Sequence, residues 1–369
     1  MKIKNLCSYA PKSKIKAGEA VENAKYLFFT SSTDENKRYT DFQFDKEAII
    51  MGTGGNATLH YYNGKFSVST DCLVLLPNSK IKCKYLYYFF KSHMSVLEAG
   101  FKGAGLKHTN KKYIEEININ EVPDLTTQEK IISHLDTISD NIEKLNRELE
   151  LFDSLTKARF VEMFGDPQIN EKEFIKAPMG EYLSLLTDFS SNGSYKTLDS
   201  GVVMYDEPNY AWMVRTTDLE SGDMSSIKYI DEKAYELLSK SKIFGGEIIM
   251  NKIGSAGKIY IIPKLTMPAS LGRNAFMFRY DERINNIFMY YLLTSDYGQR
   301  EIQQYVRGAV TKTITKDDAR AVLIIVPPLE LQQQFADFVQ QVDKSKLAVQ
   351  KSLDKTQQLF DSLMQEYFG

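Results

Sequence analysis

One stretch limits the fold more than any other. Thr126 to Gly165 reads as a single long amphipathic helix. Ile131, Leu135, Ile138, Ile142, Leu145, Leu149 and Phe152 follow one another at spacings of 4, 3, 4, 3, 4 and 3 residues, with mostly charged or polar residues between. That is a heptad seam, narrow enough to require a partner helix. The chain supplies one. A shift of 204 positions carries Pro123 onto Pro327, Leu125 onto Leu329, Gln128 onto Gln332 and Leu149 onto Leu353. It also carries Leu155 onto Leu359, Glu162 onto Glu366, and Phe164-Gly165 onto Phe368-Gly369, all without a gap. A helix repeated at this distance implies a chain built twice, as globular segment, helix, globular segment, helix. The matching seam is Phe335, Val339, Val342, Val349 and Leu353, with Lys346 and Thr356 where the first helix has Ile142 and Phe152. The second seam is expected to be weaker there, or to rotate onto Leu347 and Phe360. A helix of this length spans roughly 57 Å at about 1.5 Å per residue. Antiparallel pairing within the chain is the preferred arrangement, because it relates the two repeats by a pseudo-twofold axis.

At 369 residues the chain is long enough for two or three cores, and 43% hydrophobic with 25% charged residues fits a globular protein in water. No run approaches about 18 apolar residues, so no membrane span is expected. The first residues lack an apolar signal core. Three cysteines without CxxC spacing and four scattered histidines argue against a metal site or a disulfide framework, and the cytoplasm is the expected compartment. The net charge of −2 hides a pattern: residues 1–123 carry 18 Lys and Arg against 12 Asp and Glu, while residues 124–165 carry 5 against 9. The first globular segment is basic and suits a polyanion; the helices are acidic.

The two globular segments share an order of elements. In the first, Tyr26–Thr30, Glu47–Met51 and Cys72–Leu76 read as strands and Lys84–Ser92 as a short apolar helix. Leu59–Val68 reads as a hairpin turning at Asn63-Gly64, and Ile117–Val122 as a last strand. In the second, Tyr210–Thr216, Glu247–Met250, Ala275–Phe278, Phe288–Ser295 and Val322–Val326 match them in turn, with extra length around Ser190–Asp206. The predicted class is α+β, two mixed α/β domains with a pair of long helices.

No residue pattern announces a reaction. HExxH and GxSxG are absent, and Met51–Ala57 and Gly254–Lys258 lack the spacing of a phosphate loop. The latter is expected to be an exposed hairpin tip whose backbone amides, with Lys252 and Lys258, face phosphates. Base edges are read by Arg, Lys, Asn, Gln, Ser and Thr on loops. The candidates are Lys102, Lys107, His108, Asn110 and Lys111 in the first segment. In the second they are Arg215, Lys252, Lys258, Arg273, Asn274, Arg307 and Lys312. Lys102–Lys111 and Arg307–Lys312 lie on equivalent glycine-containing loops, GFKGAGLKHT and YVRGAVTKT.

Taken together, the repeated PxL…Q boundary (Pro123, Leu125, Gln128; Pro327, Leu329, Gln332) and the endings Glu162-Met163-Phe164-Gly165 and Glu366-Tyr367-Phe368-Gly369 give the whole chain a resemblance to the specificity subunit of a type I restriction–modification system. The resemblance implies target-recognition domains at 1–123 and 168–326 and spacer helices at 124–167 and 327–369, the helices packed antiparallel. It implies that each domain reads one half of a split double-stranded DNA target and that the helices set the spacer. It further implies no catalysis by this chain. Two methyltransferase (modification) subunits would methylate adenine N6 with S-adenosylmethionine, and restriction subunits would use ATP and Mg. Two alternatives stay open on the residues: a recognition subunit of a related restriction–methylation enzyme, and a coiled-coil scaffold that binds no DNA.

Overall fold

The computed structural model describes every residue from Met1 to Gly369. The chain forms two compact units, Met1–Glu148 with Val349–Gly369, and Leu149–Ala348.

The first unit contains β1 (Cys7–Tyr9), β2 (Tyr26–Phe29), β3 (Arg38–Tyr39), β4 (Phe44–Gly52), β5 (Leu59–Val68) and β6 (Cys72–Pro77). Helices α1 (Cys83–Ser92), α2 (Met94–Ala99) and α3 (Lys111–Glu116) follow, and then the long helix α4 (Leu125–Phe164). Its six strands form one sheet in the order β1-β6-β4-β5-β2-β3. Side chains alternate across a strand, so the unbroken apolar run in β4 is buried on both faces. Ile49 and Met51 join a core with Leu86, Phe90 and Leu135, while Ala48 and Ile50 join Phe44, Phe66 and Val74 on the other side. Two sequence expectations fail here. Asn63-Gly64 is not a turn: Leu59–Val68 is one strand, antiparallel to β4 in continuous register from Leu59 opposite Met51 to Phe66 opposite Phe44. Gly64 takes φ +142° inside it. The β4 partner supplies a full ladder that outweighs the local turn preference. Ile117–Val122 is not a strand either. It makes a single bridge, Asn118 to Lys2, with Ile3 N–H donating to Ile117 O at 3.0 Å.

The second unit contains β7 (Ile175–Pro178), β8 (Leu183–Asp188), α5 (Tyr195–Gly201), β9 (Ala211–Val214), α6 (Thr216–Ser221), β10 (Lys228–Ile230), α7 (Glu232–Leu237) and β11 (Lys242–Ile243). Then come β12 (Ile248–Asn251), β13 (Ile259–Ile261), β14 (Ala269–Leu271), β15 (Ala275–Tyr280), α8 (Asn286–Thr294), α9 (Asp296–Gln303), α10 (Lys316–Ala321), β16 (Leu323–Val326) and the second long helix, α11 (Leu329–Phe368). The sheet β13-β12-β15-β8 reproduces β5-β4-β6-β1 of the first unit. The counterparts of β2 and β3 leave it: β9 and β10 join β14 and β11 in a separate sheet. The two sheets face each other across Trp212, Val214, Leu271, Ile249 and Met277. The extra length at Ser190–Asp206 holds α5, whose Leu198 packs with Phe189 and Met213 behind β9.

Both long helices are 40 residues. Asp124 caps α4, its Oδ1 accepting from the N–H groups of Thr126 and Thr127 at 2.9 Å. At the other end Gly165 takes φ +71°, the left-handed stop that a glycine makes at no steric cost. Within the first unit, Ile131 and Leu135 of α4 share a core with Phe360, Met364 and Phe368 of α11, and His134 Nδ1 lies 3.1 Å from the Tyr367 hydroxyl. Within the second, Phe160 and Phe164 pack edge-on to Phe335 at 5.4 and 5.5 Å, Arg159 lies over Phe338 at 5.7 Å, and Asp153 pairs with Lys346. Residue numbers rise along one helix as they fall along the other, so the helices run antiparallel. Of the seam residues, Ile131, Leu135, Phe335, Val339 and Val342 are buried; Ile138, Ile142, Leu145, Leu149, Phe152, Val349 and Leu353 are half-buried. The expected rotation onto Leu347 does not occur. That side chain is 58% exposed, whereas Phe360 is buried. Lys346 stays at its seam position because Asp153 on the facing helix takes its charge.

The PxL…Q boundary has a physical cause. Gln128 is fully buried; its Oε1 accepts from Lys82 N–H at 2.7 Å and its Nε2 donates to Lys80 O and Pro123 O at 3.2 and 2.8 Å. Gln332 repeats each bond: Oε1 accepts from Asn285 N–H at 2.8 Å, and Nε2 donates to Arg283 O and Pro327 O at 3.1 and 2.8 Å. In each unit one amide ties the start of a long helix to the turn before α1 or α8. Only a side chain with both a donor and an acceptor at its end satisfies those backbone groups.

Candidate nucleic-acid interface

In the first unit, two loops are laced together by main-chain bonds. The turn after β4 gives Gly55 N–H to Lys107 O at 2.9 Å and takes Thr109 N–H on Thr53 O at 3.0 Å. The second loop closes on itself, Lys102 N–H to His108 O at 2.9 Å and His108 N–H to Lys102 O at 3.0 Å. The second unit builds the same lattice. Gly254 N–H donates to Lys312 O at 2.9 Å, Ile314 N–H to Lys252 O at 3.0 Å, and Arg307 and Thr313 exchange both bonds at 2.9 and 2.7 Å. Glycine is required at the bend: Gly103 and Gly308 have φ of +147° and +108°, and a Cβ at Gly308 would lie 2.1 Å from Thr311 O. The lattice therefore presents Lys102, Lys107 and His108 on one unit, and Arg307 and Lys312 on the other, all exposed. Arg307 rests on Asp318 at 3.0 Å while its side chain stays 75% exposed.

The other sequence candidates are held elsewhere. Asn110 is the N-cap of α3, accepting from Tyr113 N–H at 3.1 Å. Lys111 lies over the Tyr9 ring at 4.4 Å and pairs with Glu115 at 3.5 Å. Arg215 grips the buried Asp218, Nε to Oδ1 at 3.0 Å, and Asp218 also accepts from Trp212 Nε1 at 3.3 Å. Lys258 pairs with Glu220. Arg273 reaches Asp199 at 3.2 Å and lies 5.1 Å from the Phe189 ring, still partly exposed. Asn274 takes φ +68° and offers its carbonyl to Lys252 N–H at 2.9 Å. Three of the five amides of Gly254–Lys258 are taken up within the unit. Gly254, Gly257 and Lys258 N–H bond to Lys312 O, Asn251 O and Ser255 O, because the loop must satisfy its own backbone to hold its shape.

Lys252 belongs to a cluster that the sequence does not show. Its Nζ donates to Asp188 Oδ2 at 2.7 Å, and Lys316 Nζ and Ser191 Oγ donate to Asp188 Oδ1 at 2.8 and 2.7 Å. Burial alone would push the Asp188 carboxyl up. The hydrogen bonds from Lys252, Lys316 and Ser191 outweigh it and hold the group at about 2. Asp188 ends β8, Lys252 starts the glycine loop, and Lys316 opens α10 directly after the second loop, so one carboxylate anchors both loops. No three His, Cys, Asp or Glu side chains come together as a metal site, and no helix is long and apolar enough to cross a membrane.

Comparison with known proteins follows the same division. The profile of the type I restriction modification DNA specificity domain matches residues 1–151 and 172–358. The type I restriction enzyme MjaVIII specificity subunit of Methanocaldococcus jannaschii is 24% identical over 341 residues, covering 85% of this chain and 78% of that protein. The EcoBI specificity subunit of Escherichia coli is 21% identical, covering 87% of this chain and 73% of its own. In fold, the chain superposes on the S subunit of a type I restriction-modification system from M. genitalium with a TM-score of 0.68 at 16% identity, over 100% of this chain and 95% of that one. The mixed α/β units, the repeated boundary and the profile matched on both sides of the end of α4 agree: the chain belongs to the type I restriction–modification DNA specificity family.

Proposed function

We propose that the chain is the sequence-reading, non-catalytic subunit of a type I restriction–modification complex. Each unit contacts one half of a bipartite duplex target through its laced loop pair. The antiparallel helices fix the distance between the halves and carry the adenine-N6 methyltransferase subunits. The methyl donor, ATP and Mg are then bound by partner subunits, as is the restriction activity. The carrying observation is the double occurrence of one loop lattice, with Lys102 and Lys107 in one unit at the positions of Arg307 and Lys312 in the other. Exposed cations on a braced loop suit phosphates and base edges. A target of two half-sites suits a reader made of two copies of one plan.

The test uses the chain assembled with its modification subunits. Binding to duplexes of random sequence and to the duplex identified by mapping methylated adenines is measured across a salt series. The expected result is a strong preference for the mapped sequence, with affinity falling steeply with salt. Lys102→Ala with Lys107→Ala should relax one half-site, and Arg307→Ala with Lys312→Ala the other. Equal affinity for every duplex, or both double variants relaxing the same half, overturns the proposal.

A further inference from the structure

In the function proposed above the loop cations serve phosphates and base edges, and what stands between them has no role there. The tip of the second unit's loop, enclosed by the Arg307–Thr313 pair, carries Val310 at 98% exposure. The tip of the first unit's loop, enclosed by Lys102–His108, carries Leu106 at 69% exposure. Singly exposed apolar side chains are common and need no explanation. Here, however, the same tip of both units bears one, each flanked by a Lys or Arg on one side and a Lys on the other. Val310 and Leu106 stand one step apart on the two tips, since Leu106 aligns with Thr311. Both tips are held out by paired main-chain bonds and a glycine at positive φ, which fixes where each apolar side chain starts. An aliphatic side chain on a rigid, cationic loop has one apolar group to meet in the major groove, the 5-methyl of thymine.

On the reading that the loops contact DNA, we propose that Val310 and Leu106 are specificity-determining residues, each packing on a thymine methyl in the half-site its unit reads. The lysines and Arg307 position the loop on the backbone, and the aliphatic tip selects the base. The differing tips would then let the two units prefer different half-sites.

The experiment measures affinity of the assembled complex for its mapped target with each thymine replaced in turn by uracil, which removes the methyl alone. For the native chain, one replacement in the second unit's half-site should weaken binding about fourfold, the value of one buried methyl. Val310→Ser removes both γ-methyls from the tip. It should weaken binding to the thymine target by a similar factor, lose sensitivity to that uracil, and leave the salt slope unchanged. Lys312→Ala should instead lower the salt slope by about one. Leu106→Ala should remove the sensitivity in the other half-site. If the native complex prefers its target yet no thymine-to-uracil change alters binding, or Val310→Ser keeps the full uracil effect, the inference fails while DNA reading stands. If the complex prefers no sequence, both fail.

Discussion

Replacing Asp188 by Asn tests how the second unit's loops are held. Asparagine keeps the shape and removes the charge, leaving Lys252 and Lys316 facing each other without an anion. Asp188 is 6% exposed, and the lysine side chains are 15% and 30% exposed. A carboxyl lowered from 3.8 to about 2 marks a native-state preference for the ionised form of about 2 kcal/mol, an upper figure because both lysines reach solvent. That lies between a surface pair, at about 0–1 kcal/mol, and the removal of one partner from a fully buried pair, at about 3–5 kcal/mol. The sign follows from linkage. The folded value lies below the unfolded one, so the contribution is fully present above about pH 4 and is lost as pH falls toward 2. A local probe is built in. Trp212 is the only tryptophan, is 2% exposed and lies in the second unit. Its fluorescence in urea should give a lower midpoint for Asp188→Asn at pH 7, by about 2 kcal/mol, with the gap closing as pH is brought down toward 3. An unchanged midpoint at pH 7, or a gap that persists undiminished in acid, would refute the clamp.

Gln332→Leu should destabilise the second unit by about 3 kcal/mol, since it strands one buried and two part-buried backbone groups, and thermal unfolding followed by Trp212 would show it. Gln128→Leu should spare the Trp212 signal and lower the melting of the first unit, seen by hydrogen exchange in α1. Burial pushes the Cys7 thiol up to about 12 and that of Cys72 up to about 11, so neither should react with an alkylating reagent at pH 8 until denaturant is added, as mass spectrometry would record. Lys346→Leu should leave stability unchanged within about 1 kcal/mol, because a half-buried lysine paired with an exposed Asp153 contributes little.

What the sequence discloses is what is local or repeated. The heptad spacing places α4 and α11, and the shift of 204 aligns their ends, because periodicity and self-similarity need no tertiary knowledge. Apolar runs place α1, α8 and most central strands. Non-local partners defeat the rest. Asn63-Gly64 has the chemistry of a turn and lies within a strand because β4 pairs past it. Lys252 and Arg215 have the chemistry of DNA contacts, but Asp188 is 64 residues from one, and the buried Asp218 owes its depth to Trp212 packing. Asn110 was readable as a cap, since an Asn directly before Lys111–Glu116 is a helix-start signal. The glutamines stood in plain view in the repeated boundary; their burial did not.

The seam of the long helices is not evenly buried along its length. If it existed only to hold the two helices together, burial would be even along it. Instead it is deepest where each helix also meets a globular unit, at Leu135 with Phe368 and at Phe335 with Phe160, and only partial at Leu145, Leu149, Val349 and Leu353. A half-buried leucine or valine contributes about 1 kcal/mol, half of what full burial gives. The pair is therefore fixed chiefly by its two ends, each tied by a glutamine and an aromatic cluster to its own unit. Lys346 is accommodated by Asp153 on the facing helix, and Thr356 by donating its hydroxyl to Ser352 O at 2.7 Å.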